Sequence, residues 1–127
     1  MDKELIAEYA LRNNDPRLEF LDETDKALKQ IDSEAAFWWD EDPSWAMKIH
    51  DLFVDFNISS ADSYGDDGEG YNAGWVAVRE DSTVHSNFYP YNYTSEVWTK
   101  DMDELQTRID WAIEALEYLK EEYSEQL

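Results

Sequence analysis

Residues 34–45 read EAAFWWDEDPSW, and whether this run is helical or extended decides the fold. Upstream, Leu21, Leu28, Ile31, Ala35 and Trp38 recur at helical spacing from a start at Asp15-Pro16. Asp is a good N-cap, and Pro suits the first helical position because its fixed φ fits and its missing N–H would be orphaned there anyway. Asp42-Pro43 repeats that start signal before Trp45 and Ile49, so the spacing predicts that the run closes one helix and opens a third, shorter one. On this reading Trp38 belongs to the apolar stripe. Trp39, beside Asp40, Glu41 and Asp42, is the part that helical spacing does not require.

Towards the N-terminus, Leu5, Ile6, Tyr9 and Ala10 predict a short helix that stops at Asn13-Asn14. Towards the C-terminus the period changes to two. Leu52, Val54, Phe56 and Ile58 alternate with Phe53, Asp55 and Asn57, which favours a half-buried strand over a helix continued through Phe53 and Phe56. The stretch Gly65 to Gly74 holds all the glycines and reads as a loop, Trp75 to Arg79 as a strand, Glu80 to Thr83 as a tight connection, and Val84 to Trp98 as strand interrupted at Pro90. In the last segment Leu105, Ile109, Ala112, Leu116, Leu119 and Tyr123 form one helical stripe behind an N-cap at Asp101, with Glu104 completing a capping box. With no internal repeat and no linker, the expected architecture is α+β in a single domain, 1–127: N-terminal helices, a three-stranded antiparallel meander and a long C-terminal amphipathic helix packed on the sheet.

Apolar residues make up 43% of the chain and aromatics 15%, enough for a core despite a formal net charge of −21. Solubility of a small domain needs a net charge of only about 2 to 8 in magnitude, so the excess acid calls for another cause. It disfavours direct binding to nucleic acid or to an anionic membrane and favours a basic protein partner. The absence of Cys excludes disulfides, thiolate metal sites and thiol nucleophiles. No basic segment followed by an apolar run opens the chain, and no run approaches the roughly 20 apolar residues of a membrane span, so the expected location is cytoplasmic.

Catalytic and cofactor signals are weak. His50 and His85 lack metal-ligand spacing. Asp62, Asp66, Asp67 and Glu69 offer oxygen ligands for Ca²⁺ but miss the EF-hand pattern. The glycines there run GxxGxG, with acids that would repel a phosphate. A carboxylate pair for glycoside hydrolysis cannot stand out among so many acids. The expectation is a protein that is not an enzyme and needs no cofactor or metal.

The acid itself is patterned. Asp110, Glu114, Glu117 and Glu121 follow helical stepping on the face opposite the apolar stripe. Such a stripe places a charge about every 5 Å, against one per about 1.7 Å for duplex DNA, so two or three stripes approach its charge density. In size, charge and lack of Cys the chain resembles the acidic anti-CRISPR and antirestriction inhibitors of phages and mobile elements, which mimic nucleic acid. That resemblance implies a basic nucleic-acid-binding partner, such as a nuclease, CRISPR effector or restriction enzyme. The expected contact residues are Trp39, Asp40, Glu41, Asp42, Asp110, Glu114, Glu117 and Glu121. Two other readings share the electrostatics: an immunity or antitoxin-like protein that binds a basic toxin, and a salt-adapted interaction domain. The sequence does not fix the oligomeric state.

Overall fold

Asp15 and Pro16 begin a helical segment as their chemistry requires. In the structure, a computed structural model that describes residues 15–39, 41–62, 69–90 and 97–126, the Asp15 carboxylate accepts from the Arg17 amide at 2.9 Å. A 3-10 turn, Pro16–Phe20, leads directly into helix α1, Leu21–Ile31. The helix predicted over Leu5, Ile6, Tyr9 and Ala10 lies outside the described residues.

Helix α1 then stops short of the expected run. Asp32 is extended (φ −139°, ψ 110°), and its carboxylate accepts from the amides of Glu34 at 3.0 Å and Lys48 at 2.8 Å, which fastens the exit of the helix to the sheet. The run EAAFWWDEDPSW is therefore a hairpin, not a junction between helices. Strand β1 is Ala36–Trp39 and strand β2 is Pro43–Ile49, with Phe37 opposite Trp45 and Trp38 opposite Ser44. The third helix expected at Asp42-Pro43 does not form; Pro43 opens a strand, a position where its missing N–H costs little. The physical reason is cross-strand packing. In a two-residue period Phe37, Trp39, Trp45, Met47 and Ile49 share one face, and the Phe37 and Trp45 rings lie 5.1 Å apart.

Strands β3 (Leu52–Ser60), β4 (Tyr71–Val78) and β5 (Val84–Phe88) complete a five-stranded antiparallel meander in the order β1-β2-β3-β4-β5, two strands more than expected. Strand β4 starts at Tyr71 and takes in the end of the stretch read as loop. Of the strand region predicted over Val84 to Trp98, β5 takes only Val84–Phe88 and residues 91–96 lie outside the described residues; just past that region, Thr99 pairs with Tyr71 through both backbone hydrogen bonds as a single bridge. Gly74 is required by a close approach: a Cβ there would lie 2.1 Å from Cδ1 of Tyr89.

One sheet face carries the core. Trp45, Phe56, Ile49, Leu52 and Ile58 are fully buried beneath α1 and beneath helix α2, Met102–Gln126. The stripe read on the last helix is the buried one: Leu105, Ile109, Ala112, Leu116 and Leu119. Burial of each large aliphatic side chain contributes about 1.5–3 kcal/mol. The indole N–H groups in this layer are satisfied, Trp45 by Asp25 at 3.0 Å and Trp75 by the Ala112 carbonyl at 2.8 Å. Among the described residues no helix is long and apolar enough to cross a membrane.

Candidate partner-binding surface

Helix α2 starts as its sequence dictates. The Asp101 carboxylate accepts from the amides of Asp103 at 2.9 Å and Glu104 at 3.3 Å, satisfying N–H groups that have no partner inside the helix. Glu104 does not close the box expected of it. Its carboxylate takes the Thr99 hydroxyl at 3.0 Å and the Arg108 guanidinium at 2.8 Å.

With the apolar stripe facing the sheet, Asp110, Glu114, Glu117 and Glu121 are all exposed, as are Asp103 and Glu122. At 100° per residue Asp103, Asp110, Glu114, Glu117 and Glu121 fall on one narrow sector, and Glu104 and Glu122 on a second. Between the two sectors lie Trp111 and Tyr118, 46% and 65% exposed. They are two helical turns apart, about 10 Å along the axis.

The cations of this helix point the other way. Arg108 is buried and donates to the Val97 carbonyl, while Lys120 donates to the Ile31 carbonyl at 2.7 Å, capping the last turn of α1. The outward surface from Asp103 to Glu122 therefore presents carboxylates and two rings with no basic side chain interspersed.

The second predicted region is used differently. Asp40 lies outside the described residues. Glu41 is exposed, but the Asp42 carboxylate accepts from Arg17 at 2.6 Å and from the Ser60 amide at 3.1 Å. Arg17 is 4% exposed; it also binds Asp15 at 2.8 Å and the Ile58 carbonyl at 2.8 Å, and its guanidinium lies 5.4 Å from the Trp39 ring and 5.3 Å from the Tyr71 ring. Burial alone pulls the guanidinium pKa down. The hydrogen bonds and charges of Asp15 and then Asp42 overcome it and hold the pKa above its ordinary value. Trp39 is partly buried against the core beneath this cation, whereas Trp38, read as core, stands 47% exposed on the opposite sheet face. The exchange follows from strand alternation.

Elsewhere the histidines are packed with an aromatic ring. His50 and His85 each lie 5.5 Å from Tyr123, whose hydroxyl donates to Asp51 and holds that carboxyl below its usual range. In the glycine-rich stretch Asp66 and Asp67 lie outside the described residues, Asp62 is exposed, and Glu69 pairs with Lys100 at 2.5 Å. Among the described residues no group of His, Asp and Glu side chains converges in a metal-binding arrangement.

Sequence reasoning missed Trp111 and Tyr118, although the signal was present. Both fall off the apolar stripe and onto the acidic side by the same spacing that found the acids. Comparison with family models, with curated proteins and with solved structures finds no match to this chain.

Proposed function

We propose that the protein is a non-enzymatic inhibitor that binds a basic nucleic-acid-binding protein and occludes its site, with the outer face of α2 taking the place of nucleic acid. The observation that carries this reading is the segregation of charge on α2. Every carboxylate of the 110–121 stripe faces outward while Arg108 and Lys120 are tied to backbone carbonyls inside. From Asp103 to Glu122 this acidic surface runs for about 28 Å, about four fifths of the roughly 34 Å turn of duplex DNA.

Acid alone gives fast encounter and little residence. Trp111 and Tyr118 supply what an interface needs at its centre, large rings that desolvate on contact, and the flanking carboxylates form the polar rim that pairs with Arg and Lys. The partner would be a cytoplasmic nuclease, CRISPR effector or restriction enzyme.

The test is capture of host proteins on the immobilised protein, followed by elution with short duplex DNA or RNA. Retained nucleic-acid-binding proteins that nucleic acid displaces, and that a variant with Asp110, Glu114, Glu117 and Glu121 changed to Lys fails to retain, support occlusion. A partner indifferent to nucleic acid overturns it.

A further inference from the structure

The sheet face turned away from the helices carries a second surface. Trp38 and Phe53, each 47% exposed, and Val84, 57% exposed, lie on this face. The cross-strand row Ala46, Asp55 and Val76 runs through its middle. Between them is an open cavity of about 480 Å³ lined by Trp38, Ala46, Phe53, Asp55, Val76 and Val78. A smaller hollow of about 190 Å³ shares Trp38 and Asp55 and continues towards Glu41, Ser44 and Asn57. The two form one groove, acidic at one end and apolar at the other, where the Lys48 ammonium lies 5.5 Å over the Phe53 ring, with a Trp ring and a carboxylate at the junction.

Asp55 is the informative group. Its side chain is exposed by area, yet no hydrogen bond or ion pair to its carboxylate is made among the described residues, and burial by its apolar neighbours pushes its pKa up. A charge held against an apolar floor with no partner is disfavoured until a cation arrives. An Arg side chain meets each demand of the junction: its planar, weakly hydrated guanidinium stacks on an indole and pairs with a carboxylate. We propose that this groove binds a basic segment of a partner protein, an Arg lying over Trp38 with its charge on Asp55 and an adjoining apolar side chain seated among Phe53, Val76 and Val78.

Charge decides between occupants. A second copy of this chain would bring another Asp55 and another net charge of −21 against the first, and an anionic lipid or nucleic acid would be repelled in the same way. A lone small cation would leave the larger apolar hollow unfilled, so a peptide segment fits better than a free amino acid. This inference does not rest on occlusion by α2, because the groove lies on the opposite side of the sheet.

The probe is the peptide acetyl-Leu-Arg-Leu-amide, titrated into the full chain and followed by NMR at the Trp38 indole N–H and the Val76 and Val78 methyl groups. Saturable shifts at these groups are expected, with binding at least about fivefold weaker for the citrulline version, for free arginine and for Asp55→Asn, the scale of one ion pair of about 1 kcal/mol. Trp38→Ala should weaken it comparably while resonances of the core stay in place. The quadruple Lys variant of α2 should bind the peptide as the parent does; its failure would show general attraction to acid and overturn the site. Equal affinity for the arginine and citrulline peptides, shifts confined to α2, or concentration-dependent self-association through Trp38 would overturn it too. None of these results bears on whether nucleic acid displaces a partner from α2, so the two proposals fail separately.

Discussion

Two regions of this molecule combine aromatic rings with carboxylates, and they use the same chemistry in opposite ways. Around the β1–β2 turn, Asp15 and Asp42 close on Arg17 while Trp39 and Tyr71 cover it, so acid and rings are consumed in holding the 3-10 turn to the sheet. Along α2, Asp110, Glu114, Glu117 and Glu121 stand in solvent beside Trp111 and Tyr118, and the nearby cations are bound elsewhere. Acid that finds an internal cation is structural, and acid denied one stands in solvent. Counting carboxylates does not separate the two cases; following each cation does.

The largest test of this contrast is Arg17→Ala. It leaves Asp15 and Asp42 partly buried without their counter-charge, and breaking such a pair costs about 3–5 kcal/mol, seen as a large fall in the urea midpoint. A loss as small as that from a change on α2 would abolish the distinction. Next in size, Gly74→Ala crowds both the Tyr89 ring and the Phe88 carbonyl, 2.5 Å from the added Cβ, and overpacking of this kind costs about 1–3 kcal/mol by thermal or chemical unfolding.

Changing Asp110, Glu114, Glu117 and Glu121 to Lys should move stability by no more than about 0.5 kcal/mol per site, because the lowered self-repulsion offsets loss of the exposed Gln106–Asp110 bond. Its effect should fall on association instead, slowing the on-rate and flattening its dependence on salt in stopped-flow measurements. The smallest effect concerns Asp55. Because its folded pKa is raised above 3.8, the folded state holds more protons than the unfolded one between those values, and stability falls as pH rises through that window. Asp55→Asn removes that fall, so it should match the parent at low pH and exceed it at neutral pH in pH-dependent melting.

Much of this was legible along the chain. Leu52 to Ile58 announced its strand because a strict alternation of large apolar and other residues has no good helical solution. The stripe from Leu105 to Leu119 announced α2 for the converse reason. Phe37 to Trp39 misled because a run of adjacent large rings satisfies either period, and Trp38 happens to continue the spacing of Ile31 and Ala35. What ends the helix is Asp32, which accepts locally from Glu34 and, once the sheet is formed, from the distant Lys48 amide. The acids of α2 were legible as a face. The groove around Asp55 was not, since its walls come from four strands, and the cross-strand register that brings Ala46, Asp55 and Val76 side by side arises only when those strands pair.

The placement of α2 also sets an order of events during synthesis. The meander ends at Phe88, and α1 is already made and bonded to β2 through Trp45 and Asp25, but the cover over β4 and the Lys120 cap on the Ile31 carbonyl come only with the last helix. At about 5–20 residues per second the ribosome needs a further few seconds to supply it. Over that interval Trp75, whose indole N–H donates to the Ala112 carbonyl in the finished fold, has the sheet but not its lid. Apolar surface exposed in this way is prone to aggregate, and the high negative charge of the chain keeps neighbouring chains apart.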